Sequence, residues 1–458
     1  MAESLSDNDL TRRPAFPQKA ERIWPGAVIV GLIAAAVILF QLPSEPHFVD
    51  ESAYYSQSYY ARLFVTGDWN DPSWLTYPAY DLPPLPKYLI GASLWLSGQR
   101  APSPAEARHW YQDTSSRFDH SRGGLTVARA PIMVCGAIGC VAVYGLGVLT
   151  AGRSVGLLAA LFVMANPLYR MLSRRAMSDV PCESLLNVGL FFLLWSWKRT
   201  LSGTLGGPVR LGVPAAGIAA GLSMLSKMSG ILYFPVAIVW ACLAILSPVP
   251  VGRKWSFALV VSMSALIAGG AFVALDPFLT AHPAGPLPAP LASIRNLSMW
   301  ERAHLMFALR LKVSTDQQNM FPHNAVRTPF EKLSTVAVQG FGRFGVLGPR
   351  HSDSTQRFDL AQDWGAALWL PWVVYGAFRA WRLGAAQNSA GVPPTCWAAL
   401  ALFAVSFSVV TAYLPMAWDR YFLPLQVPAA LLAAIAASRA RGRFAGTNQA
   451  LTPPGNKS

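Results

Sequence analysis

The sequence has few charged residues and few cysteines for its length. Of its 458 residues, 13% are charged and five are cysteine, and no CxxC pair occurs. A disulfide framework or a zinc ribbon is therefore not indicated, and we expect the cysteines to pack as small apolar residues. The P-loop, the GxGxxG fingerprint and any basic groove with interleaved aromatic residues are also missing. Nucleotide binding and nucleic acid binding are therefore not predicted.

Long apolar runs are what the sequence has in abundance. Hydrophobic residues make up 53% of the chain, and ten stretches approach the roughly 20 residues that a spanning helix needs. They are residues 25–44, 128–150, 154–169, 184–197, 211–226, 229–247, 255–275, 364–381, 396–415 and 421–438. This pattern predicts an all-α integral membrane protein with about ten transmembrane helices.

Lysine and arginine predict how the chain is oriented. With the N-terminus inside, the inner segments contain clustered cations, among them Arg12, Arg13, Lys198, Arg199, Arg253, Lys254, Arg379 and Arg382. Positive inner segments are what the insertion rule requires. Past Glu21 these segments contain no Asp or Glu, whereas the carboxylates from Glu45 to Asp419 fall outside. Acid outside is not part of that rule, so an outward-facing functional site is expected, although long outer loops also hold more polar residues of every kind.

The orientation divides the chain into tails, loops and a membrane domain. We expect cytoplasmic tails at 1–24 and 439–458, a transmembrane domain over 25–438, and large outer loops at 45–125 and 276–363. A multi-pass protein of a bacterial inner membrane fits this division. Pro84–Gly98 is apolar but short, and it is predicted to be an interfacial helix at the outer surface. If it crossed the membrane, every later segment would change sides.

Two carboxylates stand where the first span ends. The first outer loop begins with His47 and continues through Asp50 and Glu51, and later contains Asp81, a Pro-Pro pair and Lys87. The prolines favour an extended turn. In a purely structural interpretation, the acidic pair would be an N-cap of a surface helix and the prolines would be a helix breaker.

The order of these motifs resembles a known family. The sequence has Asp50-Glu51 after span one, Pro83-Pro84-Leu85-Pro86-Lys87, Arg129-Ala130-Pro131, Ser178-Asp179, Gly221–Lys227 and Asp419–Pro424. In this order they resemble the polyprenol-phosphate-sugar-dependent glycosyltransferases of the GT-C fold, which include protein O-mannosyltransferases and lipid A aminoarabinose transferases. Leu82 departs from both branches, which have His or Lys before the proline pair, so the resemblance implies no particular acceptor.

The resemblance implies a site and its ligands. Asp50 would take the proton of the acceptor hydroxyl, and Glu51 would orient a helix end or the acceptor. The predicted substrate-binding residues are Tyr54, Asp81, Lys87, Asp179, Lys227 and Arg420. Cations among them would hold the phosphate charge that develops as the sugar leaves. The donor would be a polyprenyl-phosphate sugar within the bilayer, and the acceptor a glycan, a lipid or a protein. No cofactor is predicted; a divalent metal has no support from the sequence.

Other interpretations remain open at this stage. A polytopic transporter would suit the many spans, but the spans show no internal repeat and no matched broken helices. A non-catalytic subunit for cell-envelope assembly is the third reading. Among single residues, Asp179 could be a helix cap, Lys227 could extend to the interface, and Arg420 could form a salt bridge with Asp419 or another outer acid.

Overall fold

The computed structural model describes residues 23–40, 42, 45–107, 122–203, 207–349 and 356–438. Within these ranges the chain is helical and no strand occurs, apart from one isolated bridge between Ala325 and Met416. The predicted all-α class is confirmed. Most of the predicted tails 1–24 and 439–458 and parts of the two outer loops lie outside the described residues.

Seven helices are long and apolar enough to cross a membrane, or eight if one bent pair counts as a single span. The seven are Ile23–Phe40, Gly123–Ala151, Asp179–Leu201, Met228–Leu246, Val251–Leu275, Thr395–Tyr413 and Asp419–Ala437. Of the other two predicted stretches, 211–226 lies within helix Gly207–Ser226, and 364–381 overlaps helix Ala366–Ser389 from residue 366 onward. An integral membrane architecture is thus supported, while the count of ten is not confirmed.

The bent pair consists of Arg153–Ala165 and Pro167–Ser173, which meet at 70°. Pro167 has no backbone N–H and cannot continue the hydrogen-bond ladder of the preceding helix. Asn166 caps the second helix by accepting from the backbone N–H of Tyr169 at 3.1 Å. The bend turns the chain toward Arg174 and Arg175, which lie beside the first outer loop.

The first outer loop is a series of short helices. They are Val49–Ser56, Tyr60–Thr66, Tyr77–Asp81 and Leu85–Leu96. The last has 12 residues, which at 1.5 Å per residue is about 18 Å and too short for a core of about 30 Å. Gly91 lets this helix approach the turn at Ser58, because a Cβ on Gly91 would lie 2.3 Å from the Ser58 carbonyl oxygen. Interfacial placement of this helix stays a prediction.

The second outer loop is also helical in its described part. Its helices are Pro277–Thr280, Ala289–Arg295, Met299–Met320, Pro329–Thr335 and Leu360–Asp363. The Val326 N–H donates to the Pro415 carbonyl at 3.0 Å, and the Ala417 N–H donates to the Asn324 carbonyl at 2.8 Å. These bonds attach the loop to the segment that leads into the last span.

Candidate active site

Asp50 faces Arg420 across the two ends of the chain. Asp50 lies in the first turn of helix Val49–Ser56, where the helix dipole stabilises a carboxylate. Arg420 lies in the 3₁₀ turn Asp419–Phe422 that opens the last span. The Arg420 guanidinium donates to an Asp50 carboxylate oxygen, and the two side chains are 20% and 32% exposed. A solvent-reachable ion pair therefore joins the predicted base to one of the predicted phosphate-binding cations.

Glu51 points the other way and is fully buried. Arg129 binds it with both prongs of its guanidinium, at 2.8 and 2.7 Å. The backbone N–H groups of Ala176 and Phe48 donate to the same carboxylate at 2.7 and 3.0 Å. These four bonds hold Glu51 at the start of the helix that carries Asp50. The role predicted for Glu51 in orienting a helix end or the acceptor stays a prediction.

Glu45 completes this buried layer. Its carboxylate accepts two bonds from Arg174, at 3.0 and 2.9 Å, and one from Arg175 at 3.2 Å. Arg175 also stacks over the ring of Phe48, with its guanidinium carbon 4.4 Å from the ring centroid. The first outer loop is thus held from behind by arginines that follow the bent helix pair.

Tyr54 and Asp179 are brought together by the helix that begins at Asp179. The Tyr54 hydroxyl donates to Ser178 Oγ at 2.7 Å, and burial raises the pKa of Tyr54, with Asp179 and Asp50 adding to the shift. Lys227 Nζ lies 2.5 Å from Asp179 Oδ1. Lys227 occupies the break between helix Gly207–Ser226 and the 3₁₀ turn Met228–Leu232. Its charge at this break is therefore paired with Asp179.

Asp81 and Lys87 belong to a separate charged group. Arg310 of the second loop pairs with Asp81 at 2.7 Å. Lys87 is fully buried: its Nζ donates to the Pro78 carbonyl at 2.6 Å and lies 4.9 Å from the centroid of the Tyr60 ring. Burial lowers the pKa of Lys87 to about 7. The lysine is enclosed by protein, and its predicted donor contact stays a prediction.

A cavity of about 610 Å³ opens between the first loop, the second loop and the mouth of the last span. Of the eight predicted site residues, Asp50 and Arg420 line it. Its other charged lining residues include Arg175, Arg343 and Arg357. The Asp50–Arg420 pair therefore lies in a cleft large enough for a sugar and a phosphate.

Two of these arginines were not anticipated from the sequence. Arg343 makes a two-pronged pair with Asp363, at 2.7 and 2.6 Å. Arg357 pairs with Glu331 at 3.0 Å. No motif marks them, and only their position in the large second loop could have drawn attention to them. Within the described ranges, no three His, Cys, Asp or Glu side chains come together as ligands for a metal ion.

Comparison with known proteins shows which family model and which solved structures this chain resembles. Residues 118–270 match the model of the family described as dolichyl-phosphate-mannose-protein mannosyltransferase. The structure resembles ArnT from Cupriavidus metallidurans bound to undecaprenyl phosphate, with a TM-score of 0.52 and 17% identity over 90% of this chain. It resembles the archaeal oligosaccharyltransferase AglB from Archaeoglobus fulgidus equally, at 0.52 and 17% over 90%. No curated protein sequence matches significantly.

The likeness establishes the architecture. The chain spans 60% of the ArnT chain and 50% of the AglB chain. Their shared arrangement of helices is the GT-C fold, and this chain has it. The fold predicted from the order of the motifs is confirmed.

Proposed function

We propose that this protein is a membrane glycosyltransferase that transfers a sugar from a polyprenyl-phosphate-linked donor to an acceptor hydroxyl. The observation that carries the proposal is the Asp50–Arg420 pair in the outer cavity. The family match and the ArnT likeness support it, because the ArnT structure was solved with undecaprenyl phosphate. No arrangement in the described ranges favours a transporter or a non-catalytic subunit.

The geometry suits a single displacement. The acceptor oxygen forms a bond to the anomeric carbon as the bond from that carbon to the phosphate oxygen breaks. The acceptor proton goes to the Asp50 carboxylate, which acts as general base. Polyprenyl phosphate leaves with one more negative charge, which Arg420 stabilises more strongly than it does the bound diester. One displacement inverts the anomeric configuration, and because phosphate is a good leaving group, no general acid is needed.

The ion pair also suggests how the donor prepares the base. In the structure the Arg420 guanidinium donates to the Asp50 carboxylate. A donor phosphate next to Arg420 competes with Asp50 for the same N–H groups. Once Arg420 contacts the phosphate, the Asp50 carboxylate is released and can accept a hydrogen bond from the acceptor hydroxyl. Donor binding before acceptor binding follows from this exchange.

Binding of undecaprenyl phosphate tests the proposal. The purified protein in lipid nanodiscs should bind it, and Arg420→Met should weaken binding by about 10- to 100-fold, the effect of losing a hydrogen bond to a charged group. Arg382→Met is the matched control, because Arg382 is an exposed residue of helix Ala366–Ser389 and does not line the cavity. No binding by the wild type, or unchanged affinity in Arg420→Met, would contradict the proposal.

Orientation of the site is a separate part of the proposal. The inner clusters of lysine and arginine support a bacterial inner membrane protein with both tails inside and the cavity outside. Reporter fusions at residues near 320 should give an outward signal, and fusions near 390 an inward signal. An outward signal near 390 would mean that the helix Leu85–Leu96 crosses the membrane after all.

A further inference from the structure

The second outer loop contributes amide side chains to the wall of the cavity, whereas Asp50 comes from the first outer loop. Gln317, Asn324 and Gln339 all line the cavity, and all come from the second outer loop. Gln339 is 2% exposed and lies in the π-helical turn Val336–Gly340, a conformation often found at functional sites. Its amide nitrogen donates to the Arg357 carbonyl, while its Oε1 is buried and has no partner in the described part of the chain.

The charged groups of this wall are already engaged. Arg343 is held by Asp363 and Arg357 by Glu331. The side chains of Gln317 and Asn324, by contrast, have no hydrogen-bond partner among the described residues. What the wall offers a ligand is therefore neutral hydrogen bonding, with amides that both donate and accept. The hydroxyl groups of a sugar have the same dual capacity.

Aromatic rings stand beside the amides. Trp418 and Phe321 line the same cavity, with ring centroids 5.5 Å apart in an edge-to-face arrangement. Trp418 adjoins Arg420, whose guanidinium carbon lies 5.1 Å from the centroid of the Trp418 ring. Flat apolar ring faces fit the C–H faces of a pyranose, and a few placed polar groups then fix its orientation.

The amide wall is tied to the catalytic side of the cavity. The bonds from Val326 to Pro415 and from Ala417 to Asn324 link the second loop to the turn before Arg420. Gln318 adds a bond from its side-chain amide to the Pro415 carbonyl at 3.0 Å. The residues that would hold the acceptor therefore keep a fixed position relative to Arg420.

We propose that the acceptor is a carbohydrate chain, whose terminal sugar binds Gln317, Asn324 and Gln339 and packs against Trp418. The inference rests on the proposed function, since it assigns the acceptor class at the same site. A buried Oε1 without a partner would accept a bond from a sugar hydroxyl, and the hydroxyl next to Asp50 would be the one glycosylated. An anionic acceptor at this wall would have to compete with Asp363 for Arg343 and with Glu331 for Arg357, whereas the amides need no such exchange.

An array experiment tests the acceptor class. The full-length protein in nanodiscs is applied to neutral oligosaccharides, phosphorylated sugars and serine- and threonine-rich peptides, with and without undecaprenyl phosphate. We expect selective binding to neutral oligosaccharides, and Gln339→Leu should weaken it about tenfold. Asn324→Ala should also weaken it. Asn296→Ala is the control, because Asn296 is a second-loop amide outside the cavity.

Undecaprenyl phosphate binding separates the possible failures. It should be unchanged in Gln339→Leu and Asn324→Ala, which also shows that both variants fold. If the wild type binds undecaprenyl phosphate but prefers peptides or phosphorylated sugars, the acceptor inference is wrong and the proposed function stands. The same conclusion holds if both variants keep wild-type affinity for the oligosaccharide. If undecaprenyl phosphate does not bind at all, the proposed function itself fails.

Discussion

The cavity wall and the buried layer behind it each contain a carboxylate–arginine pair, but the two pairs differ in exposure and in bonding. Asp50 and Glu51 are neighbours in sequence and each binds an arginine. Asp50 is 32% exposed and shares one arginine contact, whereas Glu51 is fully buried and accepts four bonds. Exposure and bonding, more than residue type, distinguish the two carboxylates, and on this difference we propose Asp50 and not Glu51 as the base. A carboxylate with all its bonding capacity used holds structure, and one with capacity left can accept a proton.

The first prediction breaks the reactive side of this comparison and has the largest expected effect. Asp50→Asn keeps the size of the side chain but cannot take the acceptor proton. Transfer from a lipid-linked donor should fall by roughly 10²- to 10⁴-fold, as for loss of a general base. Thermal unfolding of the purified variant should stay close to wild type, because the Asp50 pair is partly solvated.

Turnover near the wild-type rate in a folded Asp50→Asn protein would place the base elsewhere. Asp81 would then be the next carboxylate to replace, since it is also partly exposed in the first loop. The donor affinity of Asp50→Asn should not fall, because Arg420 is released for the phosphate. This separates loss of the base from loss of the donor site.

The second prediction concerns the buried pair of Glu51 and Arg129. Glu51→Gln leaves the buried Arg129 guanidinium without a counter-charge, and removing one partner of a buried pair costs about 3–5 kcal/mol. The unfolding midpoint measured in nanodiscs should therefore drop strongly. Glu106→Gln is the matched control in the same loop, because the Glu106–Arg100 pair is exposed, with side-chain exposures of 42% and 77%. A stable Glu51→Gln variant that has lost only turnover would show that Glu51 takes part in the reaction.

The sequence predicted what depends on local pattern. Hydropathy predicted the all-α membrane architecture, because burial in a bilayer requires long apolar runs wherever they occur. The outer placement of the two large loops stays a prediction. Asp50 and Arg420 were each singled out by a position at the end of a span. Their pairing with each other was not predicted: the sequence suggested only that Arg420 could pair with Asp419 or another outer acid. The two residues lie 370 positions apart, and no short-range rule links such residues.

What sequence could not supply was the direction of side chains and the choice of partners. Glu51 faces inward because helix Val49–Ser56 is rotated toward Arg129, and that rotation depends on packing with distant helices. Lys87 follows a motif that resembles a phosphate-binding lysine, yet the fold encloses it beneath Tyr60. Arg343 and Asp363 sit in no motif at all, and they meet only through tertiary folding of the second loop.

A third carboxylate sharpens the comparison, because Asp276 is buried and only partly bonded. Its Oδ1 accepts from the Phe278 N–H at 3.2 Å, while its Oδ2 is buried without a hydrogen-bond partner in the described ranges. Burial raises the pKa of Asp276 from 3.8 to about 7, and the nearby Lys87 charge opposes the shift. Burial also lowers the pKa of Lys87 from 10.5 to about 7. This carboxylate is therefore expected to titrate near neutral pH.

The third prediction is a pH dependence of stability from this pair. Between pH 3.8 and about 7 the folded protein holds a proton on Asp276 that the unfolded chain has lost, so stability from this group falls as pH rises. Between about 7 and 10.5 the unfolded chain holds a proton on Lys87 that the folded protein has lost, so stability from that group rises with pH.

Two substitutions separate these contributions. Asp276→Asn should remove the fall in stability between pH 3.8 and about 7, and Lys87→Met should remove the rise between about 7 and 10.5. Unfolding midpoints across this pH range measure both, as differences from wild type, with the exposed Asp316→Asn as background. Undecaprenyl phosphate affinity of the folded Lys87→Met variant, measured alongside, tests the donor contact predicted for Lys87: a clear loss would support that contact, and wild-type affinity would contradict it.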